Sequence, residues 1–129
     1  MISTLQAFLI QAAKEQSEKE VSVSKRFEQK FRIRALSMDE WEHIQKLSTN
    51  PEAAQRVDSL GMLKRAAIEG CIDPNYKDAE FIKQLGVNTS AEALSKTLKA
   101  GEIVKLANAV LKFSGFGESV EEARKEAQD

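Results

Sequence analysis

The sequence is short of the residues that usually announce chemistry: one cysteine, one histidine, two prolines, one tryptophan and one tyrosine in 129 residues. A single cysteine cannot close an internal disulfide, so nothing marks an oxidising compartment. A single histidine leaves no ligand spacing of the zinc kind. No apolar run approaches the ~20 residues of a membrane-spanning helix. The opening "MISTLQAFLIQAAKEQ" lacks the basic leader of a signal peptide, so the expected location is a cytoplasm and no membrane is expected. The formal net charge is −1. Proteins that hold nucleic acid by neutralising phosphates carry a basic excess, which argues against that role.

What is present suffices for one folded domain. The chain is 42% hydrophobic and 30% charged, ordinary proportions for a globular protein. The pattern predicts a mainly helical α+β domain over residues 1–117 and a charged tail, "ESVEEARKEAQD", over 118–129. Near the start, Ile2, Leu5, Phe8, Leu9, Ala12 and Ala13 recur at three and four, the mark of a one-sided helix. Period-two alternation then runs through "VSVSKRF" and "FRIRAL" on either side of "EQK". That predicts a β-hairpin with a loose turn, since the break lacks glycine.

Helical spacing returns after Leu36. Ser37 with Glu40 forms a capping box, followed by Met38, Trp41, Ile44 and Leu47 as one apolar face. Asn50 and Pro51 predict a second start, with a helix to Gly70 burying Val57, Leu60, Leu63, Ala67 and Ile68. Gly61 within it suggests close packing. Asp78 starts a short helix through Phe81, Ile82 and Leu85, stopped by Gly86. Thr89 or Ser90 caps another with Ala91, Leu94 and Leu98 aligned; Gly101 interrupts before "EIVKLANAVLKF".

Each candidate site also has a plainer reading. Asp73, Asn75 and Asp78 are spaced like the start of a calcium loop, but Lys77, Asp78 and Gln84 stand where an oxygen ligand, glycine and glutamate are needed. Cys71 has no visible base or cation beside it and reads as a small buried hydrophobe. His43 lies off the apolar face and reads as a surface residue. "SGFG" follows a helix rather than opening one and is no phosphate loop. No catalytic, cofactor-binding or metal-binding residue is assigned, and no enzyme constellation is visible. Lys25, Arg26, Lys30, Arg32 and Arg34 make the hairpin basic, against Glu28. The alternative function is therefore a small helical regulator touching nucleic acid there; the plainer reading is a solvated strand face.

Three segments together resemble a known family. They are "VSVSKRF…FRIRAL", "DPNYKDAEFIKQLGV" and "AEALSKTLKAGEIVKLANAVLKFSGF". The most specific parts are Asp78–Glu80 with Leu85–Val87, then Leu98, Gly101 and Glu102, then Gly115 and Phe116. In this order they are similar to the XkdN-like tail assembly chaperones of tailed phages and prophages, over roughly residues 20–117. The resemblance implies a non-catalytic protein of the host cytoplasm, absent from the finished virion and without cofactors. It implies binding to the tail tape measure protein, with tail-tube protein and a frameshifted longer form of the chain as further partners. Client binding needs exposed apolar surface. Leu5, Phe8 and Leu9 of the first helix are candidates, as are Tyr76 and Phe81 at the Pro74 bend.

Overall fold

The computed structural model describes residues 3–14, 18–50 and 56–116. Among these, helix α1 spans Thr4–Lys14, α2 Met38–Leu47, α3 Ser59–Gly70, α4 Ala79–Gln84, α5 Ser90–Thr97 and α6 Ala100–Phe113. Strands β1 (Glu18–Val21), β2 (Phe31–Arg34) and β5 (Cys71–Asp73) form an antiparallel sheet ordered β1-β2-β5. A two-residue pair, β3 (Thr49–Asn50) and β4 (Arg56–Val57), stands apart. This is the expected α+β domain, mainly helical, with an N-terminal hairpin.

Strand β2 organises the sheet. Phe31 and Ile33 point into the core, while Arg32 faces outward, as alternation requires. The outer strand β1 is almost wholly exposed, and Glu18, Lys19 and Glu20 charge its free edge. The hairpin strands are shorter than the alternation suggests. Residues 22–30 form a loop instead of a continued strand. Val23 is buried within it, and Phe27 stacks on Phe31 with ring centroids 5.6 Å apart. The apolar residues find the core through loop packing, so their period-two spacing does not report extended backbone.

Helix α3 also begins later than Asn50 and Pro51 predict. Asn50 belongs to β3, and Pro51 lies outside the described residues. The start is set by Asp58, whose carboxylate accepts the Gly61 N–H at 3.0 Å. Gly61 therefore lies in the first turn, where an added Cβ would meet the cap itself, 2.4 Å from Asp58 Oδ2. The close helix packing occurs at Gly70 instead. A Cβ there would fall 2.3 Å from Val110 Cγ1, so glycine is what lets α3 and α6 approach.

Three further expectations shift. Leu60 is exposed, as are Met38 and Leu47; α2 gives only Trp41 and Ile44 to the core. Gly101 does not interrupt a helix but lies in the first turn of α6, the break falling at Leu98 and Lys99. Strand β5 is new: Cys71 and Ile72 leave α3 directly into the sheet, before the cis Asp73–Pro74 bond. The capping box of Ser37 and Glu40, the Asp78 cap and the stop at Gly86, which is left-handed, are present as read, and of Thr89 and Ser90 it is Thr89 that caps.

The core gathers α3, α5 and α6 against the sheet, through Met62, Ala66, Leu94, Leu106 and Leu111 among others. Among the described side chains, helix α1 contributes nothing to it.

Candidate functional site: uncovered apolar surfaces

Helix α1 is an amphipathic helix whose large apolar side chains lie exposed. Leu5, Phe8 and Leu9 fall at three- and four-residue spacing and are 66%, 64% and 55% exposed. Ile10 on the flank is exposed too. At its start the Ser3 N–H donates to Gln6 Oε1 and the Gln6 N–H to Ser3 Oγ, both at 3.1 Å, a local cap. Burying a leucine or phenylalanine is worth about 1.5–3 kcal/mol, so this stripe is a standing invitation to a partner.

A second apolar surface lies between the first turns of α3 and α6. Leu60, Leu63, Ala100, Ile103 and Val104, with Lys64, line a groove of about 100 Å³. Leu60 is 69% exposed and Val104 40%. The groove continues into a wider hollow of about 400 Å³ past Ile68 and Ala91.

The bend residues are placed differently. Tyr76 is 1% exposed, its hydroxyl 2.9 Å from Thr97 Oγ1, and burial raises its pKa above the ordinary value. Phe81 is half-buried against it, ring centroids 5.5 Å apart. Tyr76 is thus a core residue rather than a free anchor. The Pro74 bend turns the ring inward, where Thr97 satisfies its hydroxyl.

The hairpin's arginines are engaged. Arg26 grips Glu102 through Nε and Nη2, both at 2.7 Å, and donates from Nη2 to the Thr97 carbonyl at 2.8 Å. Glu102 also accepts the Lys99 N–H at 2.7 Å. The Arg26 guanidinium, with that N–H, holds the Glu102 carboxyl well below the usual carboxylate range. Arg34 grips both oxygens of Glu40, whose carboxyl is lowered to about 2 chiefly by that contact. Arg32 lies 3.7 Å from Glu18. A phosphate backbone would have to displace carboxylates from all three.

A family model described as phage XkdN-like tail assembly chaperone protein matches residues 5–128. The chain belongs to that family. The match takes in α1 and runs through nearly all of the terminal "ESVEEARKEAQD", so the family extends beyond the residues 20–117 that carry the resemblance by motif. The expected tail at 118–129 lies outside the described residues. A solved structure, the crystal structure of the protein yqbn, is similar at TM-score 0.69 and 22% identity, covering 91% of this chain and all of that one. That likeness establishes the fold. No curated protein gives a significant match.

Within this tail assembly chaperone fold the remaining candidates are structural. Cys71 is buried, its thiol pushed up to about 12 by burial, and Sγ lies 3.2 Å from the Pro74 carbonyl. It is a protonated packing residue, not a nucleophile. Asn75 and Asp78 accept the backbone N–H groups of Lys77 and Glu80 at 3.0 and 3.2 Å. Among the described residues no cluster of His, Cys, Asp and Glu could hold a metal ion. His43 is exposed. No helix among them is long and apolar enough to cross a membrane. Sequence reasoning found the α1 stripe but missed the groove, because Leu60 was read into the buried stripe of α3. Asp58 was the available signal: a cap there puts Leu60 in a first turn, beyond the helix–helix contact.

Proposed function

We propose that this chaperone is non-catalytic and binds the tail tape measure protein in the host cytoplasm, keeping it soluble while tail-tube protein assembles around it. The observation that supports this reading is the uncovered stripe of α1: Leu5, Phe8 and Leu9. An amphipathic helix meets another helix through such a stripe, with three- and four-residue anchors, and a long helical client offers many matching faces. Tyr76 and Phe81 serve the client contact only indirectly, by fixing the α4 region. A frameshifted longer form would carry the same α1. The protein itself leaves before the virion is complete.

Co-expression with the neighbouring tape measure protein tests this. The wild-type chain is expected to raise the soluble fraction of the client, and Leu5→Ser/Phe8→Ser/Leu9→Ser to lose that effect while remaining folded. Equal rescue by the triple variant would remove α1 from the role. No rescue by the wild type would remove the role itself. Binding to nucleic acid gains no support, since the arginines of the hairpin already face carboxylates.

A further inference from the structure

The side chains from Ser3 through Ala12 are exposed on every face of α1, the polar side as well as the apolar one. Helix α4 is shorter, at six residues, and also buries none fully, but it packs Phe81 and Ile82 against the core. Among the described residues, no side-chain hydrogen bond, ion pair or ring contact joins α1 to another element. The helix has 11 residues. Isolated helices below about 12–15 residues are marginal in water. Its sequence, TLQAFLIQAAK, holds no carboxylate, so no acid supports its first turn and no Glu–Lys pair braces its side. What it does have is a capping box. Ser3 and Gln6 satisfy each other's N–H groups, and the Ser3 carbonyl accepts the Ala7 N–H at 2.9 Å. A cap helps a helix to start, but it does not replace packing.

We infer that α1 is a conditional helix: in the free chain it exchanges between coil and helix, and it closes into the helix on the client that covers Leu5, Phe8 and Leu9. Ordering α1 is then part of every binding event. A segment that folds as it binds gains less affinity for the area it covers. The stripe can therefore grip an apolar client broadly and still release it, as a chaperone that leaves the assembly must. This device rests on the reading of α1 as the client surface. Its state in the free chain, however, is measured with no client present, so the two ideas can fail separately.

Amide hydrogen exchange, read by NMR on the full chain alone, is the first test. The amides of Ala7 to Lys14 are expected to exchange within about tenfold of unstructured rates, while those of Leu106 to Leu111 in α6 are protected to the limit of global unfolding. Protection of α1 to the level of α6 would overturn the inference, whatever the client. The second test weakens the helix without touching the stripe. Ser3 and Ala7 lie four residues apart, on the face away from Leu5, Phe8 and Leu9. Tape measure protein is diluted from urea into the purified chain, and the amount of chain that keeps half of it soluble is read. Ala7→Gly is expected to raise that amount about fivefold, and Ser3→Ala by about as much. Ser3→Asp keeps a capping oxygen and should match the wild type. The urea midpoint of the domain should stay where it is in all three. Unchanged half-points for Ala7→Gly and Ser3→Ala would overturn the coupling. So would a lowered urea midpoint in Ala7→Gly, which would show α1 packed on its own domain. Failure of the wild type to hold the tape measure protein would strike the client instead, and the exchange rates would still decide the state of α1.

Discussion

Helices α1 and α6 are both amphipathic, yet one is naked and the other is the centre of the molecule. In α6 the apolar side, Ile103, Leu106, Ala107, Val110 and Leu111, is buried against α3 and the sheet. In α1 the equivalent side meets solvent. The difference is not in hydrophobicity but in fit. Helix α6 has a dedicated notch at Gly70 for Val110, and a tether at its first turn from Arg26 to Glu102. Among its described side chains, helix α1 shows neither. An apolar stripe says that a helix wants covering; the small residues and charge pairs opposite it say whether the cover is in the same chain.

The sharpest way to break the contrast is to damage α6. Leu106→Ala, at a fully buried site, is expected to cost about 2–5 kcal/mol in urea unfolding. Filling the notch comes next. Gly70→Ala should cost about 1–3 kcal/mol, because its Cβ must push Val110 aside. A cost near zero would mean that α3 and α6 are not held at this spacing. Tyr76→Phe should lose about 1 kcal/mol, the hydroxyl's bond to Thr97, with the ring packing retained.

Acid should loosen α2 in a definable window. Glu40 is held at about 2 against an ordinary 4.5, so its contribution is whole above about pH 4.5 and drains as pH falls through 2. Glu102 is displaced in the same direction. A pH series of urea midpoints should fall across that range for the wild type and less steeply for Glu40→Gln, where Glu102 alone remains. The smallest effect belongs to α1: Phe8→Ser should shift stability by no more than about 0.5 kcal/mol. A larger loss would show that α1 is covered after all, and the contrast would dissolve.

How much of this was legible follows the same division. Local signals read well. Ser37 with Glu40, Asp78, Thr89 and Gly86 act on their own turns, and each is found in its predicted role. Signals that depend on distant partners read poorly. Strand β5 has only Cys71, Ile72 and Asp73, and exists because β2 offers it an edge. Val23 and Phe27 looked like strand residues, but Arg26 is drawn to Glu102 and the loop packs accordingly. Pro51 suggested a helix start, yet Asp58 offered a better cap nearer the core contact. At the surface, Leu5, Phe8 and Leu9 could be named from spacing, whereas Tyr76 could not be told from a free aromatic without Thr97 beside it.

The sheet is tied late in the sequence. Strand β2 waits for β5, Arg26 for Glu102, and the Leu36 N–H for Ser114 Oγ at 2.8 Å. On a ribosome, the first third of the chain therefore emerges long before the residues that secure it. Helix α1 precedes all of them in the chain. Its uncovered stripe, Leu5, Phe8 and Leu9, is therefore complete before the rest of the fold can be secured.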